Sequence, residues 1–156
     1  VFGLGEIGMR FFEDFPVGAE VASDERTVTA EDVERFAELT GDRSPQHLDA
    51  AFAARTTFGK PMAHGALVLS IACGLSSEIE PGNTALIALF AMDDVRFLRP
   101  VFPGDTVRVH KTVAAAEAKD PRRGLVTFES VVQNQHGQAV LGYRESVLFK
   151  RREAKR

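Results

Sequence analysis

In the stretch TGDRSPQHLD at 40–49, Asp42 and His47 stand on either side of Ser44-Pro45. A carboxyl and an imidazole within reach of one water molecule can take a proton from it and deliver one elsewhere, which is general acid–base chemistry. A second stretch, FGKPMAHG at 58–65, ends in His64-Gly65 at the edge of the longest apolar run, ALVLSIACGL at 66–75. If that run is helical, Gly65 lies in its first turn, where backbone N–H groups lack intrahelical acceptors and the helix dipole is positive. Such an N–H can stabilise an oxyanion, and a residue without a side chain lets a ligand approach it.

Taken singly, these residues have ordinary readings. Asp42 alone is a loop acid or an Asx-turn, and His47 alone is a structural histidine. Their combination with His64-Gly65 favours catalysis. Asp49 is read as a helix cap. Cys73 reads as core, and no histidine stands near it in sequence to activate its thiol. His110 and His136 fall in a strand and a turn. The four histidines are scattered without ligand spacing, so no metal site is expected.

These groups need elements to hold them. Thr29 with Asp32 has the form of a capping box, and Val33, Phe36, Ala37 and Thr40 then form one helical stripe that stops at Gly41. Asp49 can start a second short helix, AAFAART. The run from about Ala63 or His64 to Leu75 is apolar on nearly all sides, which calls for cover on nearly all sides. Four later segments, 85–101, 105–115, 124–134 and 138–150, are rich in Val, Phe, Leu and Thr and carry period-two alternation. FPGD and NQHGQ supply turns between them, and a further strand is expected near 18–28. The fold class is α+β: an antiparallel sheet of five or six strands curled over one long buried helix.

At 156 residues the chain fits one domain, 1–156, with positions 1–10 read as a tag or natural extension and 151–156 as a basic tail. Hydrophobic residues are 44% and charged residues 26%, an ordinary globular composition, and a net charge of −3 gives no reason to expect nucleic acid. No run approaches the roughly 20 apolar residues of a membrane span. The lone Cys73 and the lack of a basic-then-apolar leader point to a reducing, cytoplasmic setting.

GDRSPQHLD followed by FGKPMAHG resembles the hydratase-2 motif of the MaoC-like dehydratases, the family of the (R)-specific enoyl-CoA hydratases. VRFLRPVFPGDTV at 95–107 is similar to the strand-turn-strand that follows in the same proteins. The resemblance implies a hotdog fold, an antiparallel sheet wrapped around a long central helix, assembled as a homodimer or higher oligomer. It also implies reversible addition of water to a trans-2-enoyl thioester, carried by CoA or an acyl-carrier protein, with no metal or redox cofactor. By the same resemblance Asp42 and His47 are the catalytic pair, and the Gly65 N–H binds the thioester oxygen. Ser44 stands where the family has Asn, and it is shorter and has one donor instead of two. Ser44 and His64 are expected to support the site, and Met62, Leu67 and Cys73 to line the acyl pocket. Two rival functions remain at this stage, a hotdog acyl-CoA thioesterase and a non-catalytic module that binds an acyl thioester. Arg96, Arg99, Arg122 and Arg123 are candidates for gripping the phosphates of CoA, provided that they cluster.

Overall fold

The computed structural model describes residues 9–79 and 82–152. The segment before Met9, the last four residues of the basic tail, and two positions of the loop after the apolar helix lie outside the described residues. A short 3-10 turn, Phe12–Asp14, leads into two brief strands, β1 (Glu20–Ala22) and β2 (Arg26–Thr27). The expected single strand near 18–28 is thus split. Both pieces pair antiparallel with β4 (Thr106–Ala118), and the Ser23 hydroxyl between them accepts from Val109 N–H at 3.0 Å.

The helical expectations for α1 (Ala30–Thr40) hold in detail. The Thr29 side chain accepts from Asp32 N–H at 3.0 Å, and Asp32 accepts from Thr29 N–H at 2.9 Å. Gly41 ends the helix in the left-handed region, φ 79°, which a residue with a β-carbon adopts at a cost. Val33 and Ala37 are the buried positions of the stripe, and Phe36 packs partly buried against the same core. Asp49 caps α3 (Ala50–Ala53) by accepting from Phe52 N–H at 2.9 Å. Between them lies an unexpected turn of helix, α2 (Pro45–Leu48), opened by Pro45 in the first-turn position where its missing N–H does no harm.

The central helix α4 (Gly65–Glu78) begins with His64 as N-cap. It buries Leu67, Val68, Ile71, Ala72 and Leu75 against the sheet. Its apolar jacket is one-sided: Ala66, Ser70, Gly74 and Ser77, small residues at helical spacing, stay exposed. The sheet runs in the order β1-β4-β5-β6-β3, with β3 (Leu86–Phe97), β5 (Arg123–Asn134) and β6 (Ala139–Lys150), all antiparallel. The α+β arrangement of a curled antiparallel sheet over one long helix is therefore present.

One row of the inner face is polar. Val107, Val109, Lys111 and Val113 of β4 all point inward, and Lys111 Nζ meets Glu145 Oε1 of β6 at 2.6 Å. The Ser130 hydroxyl of β5 donates to the same carboxylate oxygen at 3.3 Å. This row divides the core into a cluster around Val107, Val109, Val132 and Leu141 and another around Phe15, Val126, Phe128 and Phe149. Cys73 lies half-buried above it. Burial, with the Glu145 charge second, pushes the Cys73 thiol above its usual range, in keeping with an inert side chain.

Among the described residues no helix is long and apolar enough to cross a membrane.

Candidate active site

Asp42, His47 and His64 come from three separate places: the end of α1, the middle of α2 and the cap of α4. One ligand atom from each lies within 4.8 Å of the others. The turn of α2 carries His47 inward, because Pro45 starts it and His47 N–H donates to Ser44 O at 3.0 Å. His47 is 8% exposed and His64 2%, while the Asp42 side reaches solvent.

Backbone carbonyls orient both rings. His47 Nδ1 donates to Met62 O at 2.7 Å, which leaves Nε2 as the acceptor nitrogen, and the Gln46 side-chain amide donates to it at 3.3 Å. His64 Nε2 donates to Asp42 O at 3.0 Å, so the α4 cap clamps the backbone of the acid. The two imidazoles stack with centroids 3.8 Å apart and planes tilted by 31°, and the Phe36 ring lies 5.0 Å from that of His64. The second loop is pinned in turn, with Met62 N–H donating to Gln46 O and Ala63 N–H to Val101 O at 2.8 Å.

Ser44 has a defined task here. Its hydroxyl donates to Asp42 Oδ1 at 2.6 Å and its N–H to the same oxygen at 3.2 Å. The hydroxyl first, then the N–H, and then the nearby His64 and His47 hold the Asp42 carboxyl below its usual range. A Ser44→Ala variant loses the largest of these influences. Because the Asp42 pKa is depressed, its removal moves the carboxylate titration upward. The acid limb of the pH–rate profile should therefore shift to higher pH, with the neutral-pH rate little changed. A limb that stays in place would show that this hydrogen bond does not tune Asp42.

A cavity of about 520 Å³ adjoins His47 and is lined by Gln46, His47, Met62, Gly65, Phe97 and Arg99, among others. Gly65 is the first residue of α4, and its N–H has no acceptor within the helix. Phe97, at the end of β3, is the residue that sequence reasoning missed, although it lies within the quoted VRFLRPV stretch. Its ring lies so close that a β-carbon added at Gly65 would stand 2.9 Å from it. A Gly65→Ala variant must push Phe97 aside and crowd the amide. It should fold, because Phe97 is 57% exposed and can move, but lose roughly 10²-fold in turnover by displacing whatever binds the N–H. Parent-like kinetics would show that nothing docks at that amide.

The other expected site residues are placed less uniformly. Met62 lines the cavity, Leu67 is buried in the core at 7% exposure, and Cys73 lies two turns further along α4. A separate cavity of about 380 Å³ near the end of α4, lined in part by Ser76, Lys111 and Phe149, shares none of its lining residues with the first. His47 and Gly65 line the first cavity and not the second, so the smaller cavity is set aside as the reaction site. The four arginines do not cluster. Arg99 borders the site and donates to Ala139 O, Arg96 approaches Asp94, and Arg122 and Arg123 sit at the β4–β5 turn, where Arg123 pairs with Asp120.

Comparison with known proteins bears on this arrangement. The model of the MaoC like domain matches residues 14–135. The chain is 35% identical over 113 residues to protein MaoC of Klebsiella aerogenes, covering 72% of this chain and 33% of that protein, so it spans about a third of that relative's length. It is 38% identical over 112 residues to a 3-hydroxybutyryl-CoA dehydratase of Methylorubrum extorquens, covering 71% of this chain and 68% of the relative. An (R)-specific enoyl-CoA hydratase of Aeromonas caviae is 36% identical over 115 residues, 74% of this chain and 83% of the relative. Among solved structures, a monoamine oxidase regulatory protein of Archaeoglobus fulgidus superimposes with a TM-score of 0.87 at 42% identity, covering 92% of this chain and 95% of that one. A Mycobacterium tuberculosis protein with a double hotdog fold superimposes at 0.85 with 21% identity, covering 97% of this chain and 47% of that one, a likeness of fold alone. The family match, extending over most of the chain and joined to relatives above 30% identity, has a plain consequence: the chain belongs to the MaoC-like dehydratase family and has the hotdog fold.

Proposed function

We propose that the protein adds water reversibly to a trans-2-enoyl thioester, giving an (R)-3-hydroxyacyl thioester. The observation that carries this reading is the convergence of the Asp42 carboxylate and the His47 ring, His47 and Gly65 both lining one cavity. A water held between Asp42 and His47 forms its C–O bond at the β-carbon while the pair takes one of its protons. The pair then returns a proton to the α-carbon, so that the net change is one water added. In this step the pair handles the proton together. Negative charge develops on the thioester oxygen as the enolate forms, and the Gly65 N–H at the positive end of α4 meets it. Donors of this kind typically contribute ~3–4 kcal/mol to lowering the barrier.

The names of the relatives support the same chemistry, since a hydratase and a dehydratase run one reaction in its two directions. The thioester carrier is CoA or an acyl-carrier protein, and the step as written consumes neither a metal nor a redox cofactor. Incubation with crotonyl-CoA tests the reading against the thioesterase alternative: loss of the double bond without free CoA supports hydration, while stoichiometric CoA release supports thioester cleavage.

The active form is a homodimer in this reading. β3 is one of the two edge strands of the sheet and displays Leu86, Leu89 and Phe90 at 44%, 51% and 69% exposure, an apolar edge that a second copy would cover. Sedimentation should give a dimer, and Phe90→Lys should shift it toward monomer. A fully active monomeric parent would contradict the assignment.

A further inference from the structure

The 520 Å³ cavity beside His47 has three polar side chains in its lining, Gln46, His47 and Arg99. His47 is the base of the proposed step, and the Arg99 guanidinium already donates to Ala139 O at 2.6 Å. Gln46 remains. Its backbone is pinned in α2, where its O accepts from Met62 N–H at 3.3 Å. Its exposed side chain reaches the base, with Nε2 lying 3.3 Å from His47 Nε2. That contact is long for a hydrogen bond, and it is the only one the Gln46 side chain makes among the described residues. A side-chain amide nitrogen carries two N–H donors, and His47 Nε2 takes one of them. The other stands beside the nitrogen that receives the water's proton.

We propose that Gln46 is a further catalytic residue of hydration, its side-chain amide donating a hydrogen bond to the oxygen of the attacking water and, in the product, to the new 3-hydroxyl. The proposal rests on the reading of Asp42 and His47 as the water-holding pair. A water has two hydrogens and two lone pairs. In that reading the hydrogens face the Asp42 carboxylate and His47 Nε2. One lone pair forms the C–O bond at the β-carbon, while the alkene electrons move toward the thioester oxygen. The second lone pair calls for a donor, and Gln46 is the side chain with donors within hydrogen-bond distance of His47 Nε2. Gln46 gains and loses no proton. It holds the oxygen in the orientation that aims the reacting lone pair at carbon, and in the reverse direction it steadies the hydroxyl as it leaves. Admitting the water gives up only the long Gln46–His47 contact, because an exposed amide with one hydrogen bond turns about its own side-chain torsions and leaves the core as it is.

The test is steady-state hydration of crotonyl-CoA and dehydration of (R)-3-hydroxybutyryl-CoA by the parent, Gln46→Leu and Gln46→Glu, with the thermal midpoint of each. Gln46→Leu removes the donors at an exposed position, and Gln46→Glu keeps the length with acceptors only once ionised. Each should lower kcat per folded chain by roughly 10²-fold, the lower end for loss of one preorganised donor, with KM and the midpoint little changed. The factor should be the same in both directions, because both cross one transition state. Parent-like kcat in either variant, or a loss confined to KM, would overturn the role of Gln46; with a parent that hydrates, it leaves the hydratase reading standing. A parent that releases CoA or leaves crotonyl-CoA intact removes the hydratase reading and the role of Gln46 with it.

Discussion

Crotonyl-CoA hydration falls by roughly 10²–10⁴-fold in an Asp42→Asn variant, the range for loss of a positioned acid–base group, while the thermal midpoint stays where it was. The side chain is exposed, so the substitution removes chemistry without opening the core. His47→Gln should lose a similar factor, since the amide keeps a polar contact with Met62 O but offers no basic nitrogen. The double variant should be little worse than the poorer single one, because groups that act as a unit lose their joint effect only once. Two losses that multiply would mean that the residues act in separate steps. An active Asp42→Asn variant would remove the acid from the mechanism.

The second large effect is on stability. Glu145→Ala leaves the Lys111 ammonium in an interior row where its side chain is 10% exposed and its partner has gone. Breaking a buried pair from one side costs about 3–5 kcal/mol. For a chain of this size that lowers the thermal midpoint by about 6–20 °C. Replacing both residues together, Lys111→Met with Glu145→Leu, should recover most of the loss, because the row lies between two apolar clusters that can accept it. A calorimetric scan distinguishes these outcomes. A single variant as stable as the parent would show that the ammonium finds water or another partner without Glu145.

The elements easiest to read from the sequence were those whose signals are local. Thr29 with Asp32 and the stop at Gly41 delimit α1, Asp49 caps α3, and the alternation in β4 separates inward Val107 and Val109 from outward Arg108 and His110. A four-residue helix is too short to show a period, so α2 was hidden even though Pro45 marked its start. The Lys111–Glu145 pair joins β4 to β6 across β5, and no local pattern shows whether an inward lysine has a partner.

The site divides in the same way. Asp42, His47 and Gly65 were legible because residue type, spacing and family resemblance agreed. The stack of His64 on His47 and the Phe97 ring over Gly65 were not, since both arise from packing between distant segments. Ser44 was legible as a departure from the family motif but not as a donor to Asp42, for the 2.6 Å contact depends on the turn that Pro45 begins.

The most direct test of the central claim is the stereochemistry of the product formed from crotonyl-CoA by the purified protein. (R)-3-Hydroxybutyryl-CoA is expected as the sole product, formed by the parent and only at the residual rate by Asp42→Asn. The (S) product, a racemate, or equal formation by both proteins would contradict it.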